Sequence, residues 1–353
     1  MVKVGYINSR SLTEYTGTGN YRSNLLKAMY SVGEKYDLSI EPITRRKKLS
    51  KIKTGLTYLP GPFDLIHFEP DIHWYGGFFF KQFLSERKCK SALTIHGVTP
   101  LYKPSLVGPL QKIRNKYILK SIVDMVDIVF SVSESAKKLI SKHLDTPKEK
   151  ISVTYNGSKF RNHPLVDKKV DSKNYILHVS SSPYDKRKNP ELLLKSFKVL
   201  SEKIGEVGLV IVGEGWKSER GDELIESMSL RGNVTRAGRV SDDELAEYYA
   251  AARLYLQTSI YEDFCLPVVE AMTFGTPVVT TEAYAIPEIA GEAAAFVDPN
   301  PHEIGQTMFN ILNDKERYRA LADQGPKVAQ QYTWENTAER TINTYLDILN
   351  TEE

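Results

Sequence analysis

Cysteine is scarce in this sequence: Cys89 and Cys265 are the two present in a chain of 353 residues. Two such thiols make neither a disulfide framework nor a metal-ligand spacing, so a reducing compartment is expected. No run approaches the roughly 20 apolar residues that a membrane-spanning helix needs. The opening Met-Val-Lys-Val-Gly-Tyr-Ile lacks the profile of a secretory signal and reads as a strand. A cytoplasmic protein is the expectation, with peripheral contact to the cytoplasmic membrane face left open.

What is present is a globular composition, 41% hydrophobic and 26% charged. The length suits two domains of about 150–200 residues each better than one core. The net charge of +3 hides an asymmetry. Residues 1–170 hold 29 Lys and Arg against 14 Asp and Glu, and the remainder holds 18 against 30. Halves of opposite sign support two domains and suggest that the first meets something anionic.

The most informative stretch is 254–299. Leu254-Tyr-Leu-Gln is short and apolar enough for a buried strand, and a loop follows. Pro267 to Phe274 reads as a helix with proline in its first turn and Gly275 past its end. No Ser, Thr, Asp or Asn directly precedes Pro267, so the N–H groups of Val268, Val269 and Glu270 are expected to face an anion, above all a phosphate. Glu262 on the loop and Glu270 in the helix bracket that seat, placed to accept hydrogen bonds from sugar hydroxyls. The alternative is an acid complementing the helix dipole beside a solvated loop acid.

Elsewhere the chain alternates strands and helices. Val2 to Ile7 leads through Gly17 and Gly19 into helical spacing at Leu25, Leu26, Met29 and Val32, with the loop N–H groups available to a phosphate or serving a tight turn. Residues 45–53 form a basic cluster, either a solvated loop or a patch for anionic headgroups or an acidic acceptor; nucleic acid is disfavoured because aromatic interleaving is missing. His67, Glu69, Asp71 and His73 are close in sequence, but no metal is expected there. The aromatic run from Trp74 to Phe80 suits core or a groove wall. His96 ends a strand, where open α/β sheets bind ligands. Residues 161–173 are polar and suit a linker. A second α/β domain opens at Tyr175, and its first loop brings Arg187 and Lys188 to a helix start at Pro190. Such cations neutralise phosphate, arginine by a bidentate fork and lysine as a point charge.

The order Glu262-x-Phe264-x-Leu266-Pro267-x-x-Glu270-Ala-Met, then Gly275-Thr-Pro-Val-Val, then Pro287-Glu288-Ile-Ala-Gly291, resembles the C-terminal signature of the retaining GT-B glycosyltransferases of the family-four (glycosyl transferases group 1) type. The resemblance covers nearly the whole chain and is densest from Tyr175 to Pro299. It implies an α/β fold of two facing Rossmann-like domains with an interdomain cleft. Residues 1–165 would take the acceptor side, residues 170–334 would hold the nucleotide sugar, and the final helix (335–353) would cross back onto the first domain.

The implied activity is transfer of a sugar from a UDP- or GDP-linked donor to a hydroxyl acceptor, a glycan or lipid-linked glycan, with retention at the anomeric carbon and with no metal or other cofactor. By the same resemblance Glu270 meets the ribose and Glu262 the sugar. Arg187 and Lys188 meet the diphosphate, His96 the transferred sugar, and Arg239 and Val240 the base edge. Gly17 and Gly19 lie against donor and acceptor, and Phe264, Cys265, Leu266 and Pro267 form the donor loop. Two departures stand out. Ser180-Ser181 replaces the usual Gly-Arg, leaving Arg187 to take over, and Asp263 and Cys265 replace glycines beside Glu262. Rival readings are another GT-B activity (sugar-nucleotide epimerase or phosphorylase) and a nucleotide-sugar-binding subunit without catalysis.

Overall fold

The computed structural model describes residues 1–8, 17–44, 63–69, 88–98, 109–166 and 173–351. The chain divides into two compact units, Met1–Gly157 with Trp334–Glu353, and Ser158–Thr333.

In the first unit the described elements run β1 (Val2–Asn8), α1 (Gly17–Gly33), β2 (Leu38–Thr44), β3 (Leu65–Glu69), β4 (Lys90–Ile95), α2 (Pro109–Met125), β5 (Ile128–Ser131), α3 (Glu134–Leu144) and β6 (Ile151–Val153). The sheet is parallel, in the order β2-β1-β3-β4-β5-β6. Every residue of β3 and β5 is buried, as expected of parallel strands covered on both faces. Ser133 caps α3 by accepting from the Ala136 N–H at 3.0 Å.

The second unit repeats the plan: β7 (Lys173–Val179), α4 (Pro190–Ile204), β8 (Gly208–Val212), α5 (Glu219–Ser227), β9 (Val234–Gly238), α6 (Asp242–Ala251), β10 (Ala252–Gln257), α7 (Leu266–Thr273), β11 (Val278–Thr280), α8 (Ile286–Ala290), β12 (Ala294–Phe296), α9 (Pro301–Asn313) and α10 (Lys315–Ala329). Its sheet is also parallel, in the order β12-β11-β10-β7-β8-β9. Leu193, Phe197, Leu209, Ile211, Trp216, Leu254 and Leu256 fill its core. Asn189 caps α4 with Pro190 behind it, and Ser241 and Glu244 close a capping box on α6.

The chain ends in α11 (Trp334–Asn350), which returns to the first unit and packs on α1. The Tyr345 hydroxyl meets His67 Nδ1, and Thr94 Oγ1 stands 2.7 Å from His67 Nε2. Burial drives the His67 pKa down to about 3, so its ring is neutral.

Residues 158–166 belong to the second unit instead of forming the end of a first domain and the start of a linker. Phe160 explains this: it is fully buried, 5.4 Å from the Phe274 ring, while Lys159 and His163 hold Asp242 and Asp243 at the start of α6. Among the described residues no helix is long and apolar enough to cross a membrane.

Candidate functional site

In the second unit the strand order reverses between β7 and β10: from β7 the chain proceeds outward to β8 and β9, and from β10 the other way to β11 and β12. In open α/β sheets the crevice at the carboxyl ends of strands flanking such a point is where ligands bind. Lys188 follows β7 and Glu262 follows β10, and they meet there, with Lys188 Nζ 2.5 Å from Glu262 Oε1. Their side chains are 17% and 9% exposed, so this is a largely desolvated ion pair. Burial opposes the charge on Lys188, but Glu262 outweighs it and raises the lysine pKa. The sequence placed the two on different parts of a ligand; their opposite charges in a poorly solvated pocket bring them together. Lys188 still keeps two ammonium protons for an anion.

The loops around this pair are stapled. The Ile260 N–H donates to the Arg187 carbonyl at 2.8 Å, and Thr258 Oγ1 donates to the Lys188 carbonyl at 3.0 Å. Three donors converge on Glu262 Oε1: Lys188, Ser259 Oγ at 2.6 Å and Gln257 Nε2 at 3.0 Å. Sequence reading missed Ser259 and Gln257. The signal for Gln257 was an amide closing the apolar run Leu254-Tyr-Leu.

Glu270 lies one turn into α7, 6% exposed. Tyr249 donates its hydroxyl to Glu270 Oε2 at 2.9 Å. Burial raises the Glu270 pKa, against the lowering pull of the Lys159 charge and of this hydrogen bond. Both carboxylates are thus tied by one oxygen, leaving the other without a donor among the described residues.

No side chain caps α7, as expected, but its first residue is Leu266, and the Val268 N–H already donates to the Cys265 carbonyl at 3.1 Å. Glu270, fifth in the helix, falls within reach of the Leu266 carbonyl. Of the three donors expected to face an anion, Val268 is therefore already engaged. Leu266 and Pro267 are half-buried, and Phe264 is buried edge-on to Tyr332 at 5.6 Å. Cys265, in the position before the helix, has φ 83° and ψ 68°. A side chain in this left-handed region costs about 1–2 kcal/mol relative to glycine. Cys265→Gly is therefore expected to be more stable than Cys265→Ala by about 1 kcal/mol in denaturant unfolding, the reverse of the usual order of these residues.

Arg187 is not a free cation. Asp185 grips it twice, from Nε at 3.0 Å and Nη2 at 2.8 Å, and this pairing raises the arginine pKa against the effect of burial. The Nη1 hydrogens are left over. Arg239 at the end of β9 pairs with Glu214 at 2.6 Å, and Val240 beside it is half-buried. The Gly213–Gly215 pattern serves backbone packing: a Cβ on Gly213 would stand 1.8 Å from the Ser180 carbonyl oxygen. Ser180 itself accepts from Trp216 Nε1 at 3.0 Å and lies 3.0 Å from His178 Nε2. His178 Nδ1 lies 2.8 Å from the Leu256 carbonyl, so Nδ1 carries the proton, Nε2 accepts from Ser180, and burial lowers the ring's pKa to about 4.

The remaining candidates lie in the first unit. Gly17 and Gly19 stand in the first turn of α1 and not in a loop before it. His96 follows β4, its Nε2 buried with no hydrogen-bond partner among the described residues and its ring edge-on to Tyr21 at 4.6 Å. Burial, aided by the Arg22 charge, lowers its pKa to about 4. Glu69 is held by Arg22 at 2.7 Å and by the Tyr6 hydroxyl. No group of three metal-ligating side chains occurs among the described residues. Asp71, His73, the run from Trp74 to Phe80 and the basic cluster at 45–53 lie outside them.

Two doubly wound parallel units, one carrying a lysine–carboxylate pair and a second glutamate at its switch point, define the architecture called GT-B. The description Glycosyltransferase Family 4 matches residues 37–158, and Glycosyl transferases group 1 matches residues 162–328. The chain belongs to the group 1 glycosyltransferases of the family-four type. It is 28% identical to O-antigen chain mannosyltransferase B of Escherichia coli over 74% of this chain and 72% of that protein. It is 29% identical to O-antigen chain mannosyltransferase RfbU of Salmonella typhimurium over 62% and 60% of the two chains. Among solved structures, sucrose-phosphate synthase of Thermosynechococcus elongatus superposes with a TM-score of 0.77 at 19% identity, covering 99% of both chains. Anabaena HepE in complex with UDP and glucose gives 0.71 at 17% identity, covering 99% of this chain and 100% of HepE.

Proposed function

We propose that this glycosyltransferase moves a mannosyl residue from a nucleoside-diphosphate donor, UDP- or GDP-linked, to a hydroxyl of a glycan or lipid-linked glycan, with retention at the anomeric carbon. The observation that carries this reading is the cluster of Lys188, Glu262 and Glu270 at the β7/β10 switch point. The names of the O-antigen relatives support mannose and a glycan acceptor. In this reading Glu270 accepts from the ribose hydroxyls through its unbonded oxygen, and Glu262 does the same for the sugar. Lys188, the Nη1 side of Arg187 and the Val269 N–H receive the diphosphate, while Arg239 and Val240 line the base and Phe264 to Pro267 shape the donor loop. His96, Gly17 and Gly19 serve from the first unit. The acceptor oxygen bonds to the anomeric carbon as the carbon–oxygen bond to the phosphate breaks, and the acceptor proton passes to the departing phosphate oxygen. Fixed cations and backbone dipoles at that oxygen supply most of the acceleration. The basic surplus of residues 1–170 favours an acceptor presented at an anionic membrane surface.

The test is incubation of purified protein with UDP- and GDP-mannose and a lipid-linked oligosaccharide acceptor in excess EDTA. An α-linked product formed at the full rate is expected, because protein groups already supply the positive charge. Loss of activity in EDTA with recovery on Mg²⁺ or Mn²⁺ would overturn metal independence. Turnover without acceptor would favour an epimerase or phosphorylase, and the absence of both turnover and donor hydrolysis a binding subunit.

A further inference from the structure

We propose that Gln257 is a positioning residue that selects which oxygen of Glu262 faces the donor sugar, and so helps set sugar selectivity. The proposal rests on the reading of Glu262 given above. β10 is a central strand, and Ala252, Leu254, Tyr255 and Leu256 are all buried in it; Gln257, fully buried, ends it with a primary amide. Burying an amide is unfavourable unless its hydrogen-bonding groups are matched. Here they are. Tyr255 Oη stands 2.6 Å from Gln257 Oε1, and Gln257 Nε2 reaches Ser259 Oγ at 2.7 Å and Glu262 Oε1 at 3.0 Å.

The carboxylate fixes every proton in this network. Glu262 Oε1 only accepts, so the Gln257 nitrogen must face it, which leaves the Gln257 oxygen to accept from Tyr255. Ser259 then accepts from Gln257 and donates to Glu262 at 2.6 Å. With Lys188 the count on Oε1 is three donors, and Oε2 has none among the described residues. Lys188 holds Oε1 from a flexible stem and Ser259 from a loop. Gln257 holds it from a strand, with its own amide plane locked by Tyr255. It is therefore the contact that sets the carboxylate plane, and hence the direction in which Oε2 accepts from a sugar hydroxyl. A site that orients an acceptor toward one hydroxyl discriminates between epimers, whereas a carboxylate free to turn does not.

The test compares Gln257→Met, of similar shape but without the amide, and Tyr255→Phe with the wild type. Mannose- and glucose-linked donors sharing one base are used, together with the free nucleoside diphosphate. For Gln257→Met, transfer kcat/KM with the preferred donor is expected to fall about 10- to 30-fold, and the preference between the two donors to fall by a similar factor. Affinity for the free nucleoside diphosphate, which lacks the sugar, should stay within about 2-fold. Tyr255→Phe should move the same two quantities the same way, about 3-fold. It carries the test alone if the methionine variant does not fold. Unchanged sugar preference in the folded variants overturns the proposal, and so does a parallel loss of nucleotide affinity and transfer at constant preference, which marks a merely structural amide. Glu262→Gln in the same assay separates the levels. If it leaves sugar preference intact, the reading of Glu262 itself falls; if it abolishes preference while Gln257→Met does not, only the positioning role falls.

Discussion

Replacing Lys188 with methionine is expected to lower transfer by about 10²- to 10³-fold, the usual cost of deleting one preorganised donor at a developing oxyanion. Lys188 contacts Glu262 with one N–H and keeps two for the departing diphosphate, so its loss removes charge where the reaction creates it. The same substitution should cost about 3–5 kcal/mol of stability, because Glu262, with a side chain 9% exposed, is left buried without its counter-charge. The two effects separate in a double variant. Adding Glu262→Gln to Lys188→Met removes the orphaned charge, so the denaturant midpoint should partly recover while transfer stays down. A double variant no more stable than Lys188→Met would mean that the pair contributes through packing and not through charge. Transfer unaffected by Lys188→Met would remove the lysine from the diphosphate seat.

Much of this site was legible in the sequence because its signals are local. Pro267 and Gly275 fix the helix that follows Glu262 and carries Glu270 to within one residue of its observed bounds, Leu266–Thr273. The alternation of strand and helix gave two parallel units, since apolar runs without alternation are what doubly covered strands require. What was not legible is pairing at a distance. Lys188 and Glu262 are 74 residues apart, and Tyr249 and Glu270 are 21 apart across a strand, so no spacing rule joins them. The polar residues of 161–173 read as a linker because Phe160, the anchor that fastens 158–166 to the second unit, stands just before them. Gly17 and Gly19 read as a loop because glycine disfavours helix, whereas both stand in the first turn of α1. Asp185 is the contact that local reading could have caught: an acid two residues before Arg187 can both cap the turn and hold the guanidinium, and it does.

The two carboxylates should fail in different ways when made neutral. In Glu270→Gln the Tyr249 hydroxyl, 2.9 Å from Oε2, donates to whichever atom replaces that oxygen, so the amide must place its carbonyl there. Its NH₂ then points where the unbonded carboxylate oxygen pointed, and a charged acceptor for the ribose becomes a neutral donor. The same logic holds at Glu262, where Lys188, Gln257 and Ser259 all donate to Oε1 and would orient the new amide oxygen toward themselves. Each substitution therefore removes one charged hydrogen bond of about 1.5–3 kcal/mol, or roughly 10- to 150-fold, from the part of the donor it faces. For Glu270→Gln that loss is expected in the affinity for free nucleoside diphosphate, measured by calorimetry, because the ribose belongs to that ligand. For Glu262→Gln the nucleoside diphosphate should bind within about 3-fold of wild type, and the loss should appear in kcat/KM for transfer. Matching losses of nucleotide affinity in both variants would place both carboxylates on the nucleotide and leave the sugar without its acceptor.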